Sequence, residues 1–158
     1  MKHKHVNVVI VGAGISGIDA AYNLKTKCPN KSYTILEGRE NIGGTWDFFR
    51  YPGIRSDSDM CTMGFRFKPW VGDEIVADGS SILNYLSETV EEYGIDEHIH
   101  FNQMVQTASW SSVESKWTLG VENKKTQEPQ TFTCDFLFLC GGYYNYEKGY
   151  NPHFEGRD

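Results

Sequence analysis

The sequence has 158 residues, 39% hydrophobic and 23% charged, which is one domain's worth of chain with room for a sizeable core and too little for a two-domain enzyme. Its net charge of −6 argues against a nucleic-acid or anionic-membrane partner, since either requires a basic face. A phosphate bound here must therefore be held mainly by main-chain N–H groups rather than by a lysine cluster. No apolar run approaches the roughly 18 residues of a membrane span. The four cysteines (Cys28, Cys61, Cys134, Cys140) lack metal-binding spacing. Three of them lie in or beside apolar segments, which points to small buried hydrophobes. A reducing cytoplasm is the simplest compartment, and His3 and His5 read as a frayed, solvated terminus.

Val6–Val11 is a β-branched run with no polar face beyond Asn7, as expected of a strand covered on both sides. Ile15–Lys25 reads as a helix with Ile15, Ile18, Ala21 and Tyr22 inward, stopped by Cys28-Pro29-Asn30. Ser32–Leu36 is a second strand and ends at Glu37. Residues 43–79 show no sustained period, yet their aromatics (Trp46, Phe48, Phe49, Tyr51, Phe65, Phe67, Trp70) argue against disorder. A long loop of this kind in a compact domain is usually functional. Ser80 or Ser81 is expected to cap a helix with Ile82, Leu86, Val90 and Tyr93 inside and Gly94 at its stop. A short strand at His98–Phe101 follows. Val105–Trp110, Lys116–Val121 and Gln130–Thr133 read as a β-meander, and Phe136–Leu139 as a further apolar strand. This order predicts a mostly parallel α/β sheet with helices on one face and a meander insert.

Gly12-x-Gly14-x-x-Gly17 lies between the first strand and the first helix, the setting a dinucleotide fingerprint requires. Gly12 permits the tight turn, Gly14 lets a diphosphate approach the backbone, and Gly17 lets helix and strand pack closely. The helix N-terminus offers unpaired N–H groups and a favourable dipole to the phosphates. Glu37, at the end of the second strand, is placed to accept both ribose hydroxyls and disfavours a 2′-phosphate in the same pocket. The fold class is thus a Rossmann-like FAD/NAD(P)-binding domain. These features alone do not separate FAD from NAD. The stretch "GGTWDFFRYPGIRSD" (43–57) leans towards FAD, because a wide apolar indole and a stiff Tyr51-Pro52-Gly53 corner suit a larger ring system beyond the diphosphate.

Gly44-x-Trp46-x-x-x-x-Tyr51-Pro52-Gly53-x-x-x-Asp57 resembles the motif of Baeyer–Villiger flavin monooxygenases, most closely their mycobacterial and other bacterial members. The segments "VVIVGAGISG" (8–17), "GFRFKPW" (64–70), "YGIDEHI" (93–99) and "FLFLCGGYYNY" (136–146) extend the likeness over nearly the whole chain. A second glycine signature, usually Ala-Thr-Gly, here reads Cys140-Gly141-Gly142 and lacks the threonine hydroxyl.

The resemblance implies FAD and NADPH as cofactors and O₂ as co-substrate, with a ketone, thioether or thioamide oxygenated by way of a C4a-peroxyflavin. It places Ser16 at the diphosphate and Glu37 at the ribose. Thr45, Trp46, Asp47 and Phe48 line the FAD, and Gly142 stands beside the flavin. Asp57 is near the reactive flavin edge as the catalytic candidate, with Arg55, Ser56 and Asp57 facing the nicotinamide cofactor. Val105 presents backbone groups to the adenine. The family's second glycine-rich domain, peroxyflavin-stabilising arginine and FxGxxxHxxxW signature do not occur in this sequence. Residues 1–158 are therefore expected to be the amino-terminal FAD-binding domain of a longer enzyme, inactive alone. The alternative is a stand-alone FAD/dinucleotide-binding module without catalysis.

Overall fold

The computed structural model describes residues 3–157. In chain order the elements are β1 (His3–Val11), α1 (Ile15–Lys27), β2 (Tyr33–Leu36), the one-turn helices α2 (Thr45–Phe48) and α3 (Met60–Met63), α4 (Gly79–Glu92), a 3-10 turn (Asp96–His98), β3 (Ile99–His100), β4 (Gln103–Ser111), β5 (Lys116–Asn123) and β6 (Pro129–Leu139). They build one six-stranded sheet in the order β3-β2-β1-β6-β5-β4. β1 pairs in parallel with both β2 and β6, and β2 with β3, while β4, β5 and β6 form the antiparallel meander.

The unbroken apolar character of β1 follows from its central place. Successive side chains point to opposite faces of a strand, and both faces are covered. Val8 and Ile10 join Ile18 and Ala21 of α1 and Ile82, Leu86 and Val90 of α4 in one core. Val9 turns the other way, into a second core with Leu36, Leu119, Val121, Phe132 and Cys134. Helices thus occupy one face and the meander closes the other. Ile10, Ile18, Ile82 and Leu86 are fully buried, each stabilising the fold by about 1.5–3 kcal/mol relative to exposure.

Several local expectations are corrected. α4 is capped by Asp78, whose Oδ1 accepts the backbone N–H groups of Ser80 (2.8 Å) and Ser81 (3.0 Å), rather than by Ser80 or Ser81. A carboxylate outcompetes a hydroxyl here because its bonds to N–H are charge-assisted. The amino-terminal histidine region is not frayed: β1 begins at His3 and runs beside β6, with His5 Nδ1 3.0 Å from Thr133 Oγ1 and Asn7 donating to Asp135 at 2.9 Å. Gln130–Thr133 and Phe136–Leu139 are one strand, β6, which pairs with β5 over its first part and with β1 along most of its length. The polar Asp135 between them sits in the strand and does not break it. Of the cysteines only Cys134 is fully buried, while Cys28 and Cys61 are exposed.

The long segment after β2 is ordered by its aromatics. Phe67 stacks on Tyr22 of α1 (ring centroids 3.4 Å apart) and on Phe65 (4.9 Å). Tyr85 of α4 accepts the Phe65 N–H at 2.8 Å and donates to the Lys68 carbonyl at 2.5 Å. Its far end is tied down by Ser56 N–H to Ala77 O (2.9 Å) and Gly79 N–H to Ile54 O (3.0 Å). These bonds carry the loop across the carboxyl ends of β1 and β2, where an α/β sheet places its ligands.

Candidate functional site: a dinucleotide cleft between two glycine turns

The β1–α1 turn is built by backbone contact. Gly12 has φ +103°, and a Cβ there would stand 2.5 Å from the carbonyl oxygen of Cys140. A Cβ on Gly17 would stand 2.0 Å from the carbonyl oxygen of Gly12. α1 then starts at a Gly14 N-cap with no side-chain cap, leaving first-turn N–H groups free for an anion.

A second glycine turn lies against the first. Gly43 N–H donates to Ala13 O at 2.9 Å, and a Cβ on Gly44 would meet the Cα of Gly14 at 3.4 Å. Behind both sits Glu37, buried at 7% exposure. Its Oε2 accepts the Ala13 N–H at 2.8 Å and its Oε1 the Arg39 N–H at 2.9 Å. These bonds fix the carboxylate while each oxygen keeps a lone pair for a further donor.

A cleft of about 520 Å³ opens between the turns. It brings together Gly12, Gly14, Ser16, Glu37, Gly44, Thr45, Trp46, Asp57, Val105 and Gly142 from the expected set. A smaller cavity of about 260 Å³ adjoins it and shares Thr45, Trp46, Asp57 and Tyr144, with Arg55 and Tyr51 on its far side. Asp57 therefore stands where the two spaces meet. Four expected residues line neither cavity. Gly17 supports the turn from behind. Ser56 is buried at 2% exposure with its hydroxyl unpartnered. Asp47 is buried against Arg39 and Arg50, and Phe48 stacks on Tyr146 with ring centroids 4.3 Å apart.

Sequence reasoning missed Arg39, Met104, Tyr144 and Tyr146 in the cleft wall. Met104 lies over Gly38, where a Cβ would be 2.7 Å from its Cε. No spacing rule marks these positions; the bond from the Gln103 N–H to the Glu37 carbonyl (2.8 Å), at the start of β4, brings Met104 there. Among the described residues Arg39 is the one cation lining the cleft, and its guanidinium is paired with Asp47. Burial pushes the Cys140 thiol above its usual pKa. A hydrogen bond with Tyr143, followed by nearby negative charge, raises the Tyr144 phenol.

Fold and cleft together define a Rossmann-like dinucleotide-binding domain, and a family model described as "NAD(P)-binding Rossmann-like domain" matches residues 10–69. Within that class the chain is 57% identical, over 155 residues, to the FAD-containing monooxygenase EthA of Mycobacterium tuberculosis, an alignment covering 98% of this chain and 31% of that protein. It is 50% identical over 155 residues to the probable FAD-binding monooxygenase AlmA of Acinetobacter baylyi, with the same coverage of 98% and 31%. Among solved structures, oxidized steroid monooxygenase bound to NADP superposes with a TM-score of 0.79 at 25% identity, over 98% of this chain and 29% of that one. OTEMO in complex with FAD and NADP gives 0.75 at 26%, over 99% and 29%. The chain thus spans about a third of the length of the curated relatives it matches.

Proposed function

We propose that this chain is the amino-terminal FAD-binding part of a longer NADPH-dependent flavin monooxygenase. The observation that carries the reading is the pair of abutting glycine turns with a doubly anchored Glu37 behind them. The turns form a cradle that side chains would fill and that an extended diphosphate fits. The uncapped first turn of α1 and Ser16 hold the diphosphate, which needs no free cation there. Glu37 accepts the ribose hydroxyls, Met104 and Val105 flank the adenine, and Trp46 and Gly142 wall the flavin.

When bound, the flavin accepts hydride from NADPH and activates O₂, which is the hard chemistry of the reaction. The chain's own part is to orient the flavin, exclude water with Trp46 and the tyrosine-rich 143–146 segment, and set Asp57 at the opening between the two cavities. Arg55, on the far side of the smaller cavity, faces the approaching nicotinamide cofactor. Ketones, thioethers or thioamides are the proposed substrates of the whole enzyme.

The test is direct titration of the flavin-stripped full-length protein with FAD, following flavin fluorescence. Glu37→Gln should weaken binding by about 1.5–3 kcal/mol, the contribution of hydrogen bonds to a charged group. Unchanged affinity removes Glu37 from the ribose site. A second reading, NAD in this cleft, draws on the NAD(P)-binding family model. Tight NAD binding without competition by FAD would favour it. The isolated 158-residue chain is expected to show no NADPH-dependent oxygenation, and steady coupled turnover by that fragment would refute this.

A further inference from the structure

Asp47 stands outside the cleft, yet it is 4% exposed and holds two guanidinium groups. Arg50 reaches its Oδ1 at 2.7 Å and donates from Nε to its backbone carbonyl at 2.9 Å. Arg39 pairs with its other oxygen and, from its second nitrogen, donates to the Gly44 carbonyl at 3.1 Å. The Arg39 guanidinium also lies over the ring of Phe48, 5.1 Å from its centroid, and 5.9 Å from that of Tyr146. The backbone N–H of the same arginine is bonded to Glu37, whose other oxygen holds Ala13. One continuous polar chain therefore joins the first glycine turn, the ribose acid, the second glycine turn and the Arg50 corner.

Gly44 is the joint in this chain with the least intrinsic preference for its shape. It has φ +52° and ψ −117°, and Gly43 before it has φ +103°. Two successive glycines in such conformations are also free to leave them. A buried carboxylate that fixes the guanidinium fork leaves its remaining N–H groups aimed in one direction, here at the carbonyl of the joint.

We propose that Asp47 is a positioning residue for FAD, acting through Arg39 to lock the second glycine turn onto the first so that both face one diphosphate. The proposal rests on FAD occupying the cleft. It separates two parts of the ligand. AMP carries only the adenine, the ribose and one phosphate, and engages Glu37 and the first turn. FAD continues past the diphosphate and needs the second turn as well.

The experiment uses flavin-stripped full-length protein and measures FAD and AMP binding by calorimetry for the unaltered chain, Asp47→Asn and Arg39→Lys. Asp47→Asn keeps the side-chain volume and removes the charge that fixes the fork. Arg39→Lys keeps the charge and loses the fork that reaches Gly44. Asp47→Asn should weaken FAD on the order of tenfold, within the usual range of site-to-site coupling, and leave AMP within about twofold, while Arg39→Lys, at a residue that also lines the cleft, should weaken FAD at least as much. Arg50→Ala should change FAD by no more than about twofold, because the Arg50 side chain is 69% exposed and its pairing is screened by water. Equal loss of FAD and AMP, or no loss of either, overturns the proposal and leaves Asp47 as a folding residue. Failure of the unaltered protein to bind FAD overturns the cofactor reading and this proposal with it.

Discussion

The two glycine turns face one another across the same cleft, yet they are held by different means. The first is backbone packed on backbone: Gly17 against the carbonyl of Gly12, and Gly12 against that of Cys140. The second has one main-chain bond to the first, Gly43 N–H to Ala13 O, and is otherwise held by side chains reaching it from elsewhere, Arg39 on the Gly44 carbonyl and Asp47 on Arg39. A turn of the first kind tolerates no added atom, because neither partner has a rotamer to change. A turn of the second kind can be loosened by degrees, because long side chains rather than packed backbone set its shape.

The most severe test of that contrast is Gly17→Ala. A methyl group 2.0 Å from a carbonyl oxygen forces α1 away from β1, and overpacking between two fixed segments costs about 3 kcal/mol or more. Urea unfolding should show a lower midpoint with the slope preserved, and FAD should be lost. A variant within 0.5 kcal/mol of the parent, as expected of an ordinary surface change, would mean that helix and strand are not locked by this contact. Gly53→Ala, in the corner beyond the second turn, meets open space within 4 Å and has φ +81°. Only the left-handed backbone opposes it, at roughly 1–2 kcal/mol. If Gly53→Ala proves the more damaging of the two, the contrast between the turns is inverted.

The same division explains what could be read from the sequence. Gly12, Gly14 and Gly17 follow from fixed offsets within one strand–turn–helix unit and Glu37 from the end of the next strand, so the first turn and the acid behind it were legible, with Gly12, Gly14 and Glu37 in the cleft wall and Gly17 backing the turn. So was the role of β1 as a doubly covered strand, since Val8 and Ile10 on one side and Val9 on the other leave no polar face. Met104 and Arg39 were not legible. Met104 arrives through the bond from the Gln103 N–H to the Glu37 carbonyl, between segments far apart in sequence, and no motif or spacing marks Arg39. Asp47 was read as lining the cofactor, whereas it is buried behind the second turn with two arginines. Local spacing reports which side chains share a face; it does not report which long side chain will come from outside to satisfy a buried carboxylate. Asp78 in place of Ser80 or Ser81 as the α4 cap is the same limitation within a single helix turn.

Asp78 also gives the gentlest probe of the second region, because it closes the loop that begins at Gly43. Its backbone bridges to Arg55, and its carboxylate accepts from the hydroxyls and N–H groups of Ser80 and Ser81. Those bonds, the Ser80 hydroxyl foremost, hold its pKa far below the ordinary carboxylate value. A carboxyl group with a depressed folded-state pKa stabilises the fold at every pH above the unfolded value of about 4. That contribution fades as the pH falls from there through the lower folded value. Acidification below about pH 4 should therefore raise amide exchange at the start of α4 and in residues 54–56 before it affects the β1–α1 turn. Asp78→Asn should leave neutral-pH exchange nearly unchanged, since asparagine caps about as well as aspartate. It should also flatten the acid dependence at the start of α4. An acid-induced rise in exchange that persists in Asp78→Asn, or that begins at the first glycine turn, would show that the loop's closure does not depend on this carboxylate.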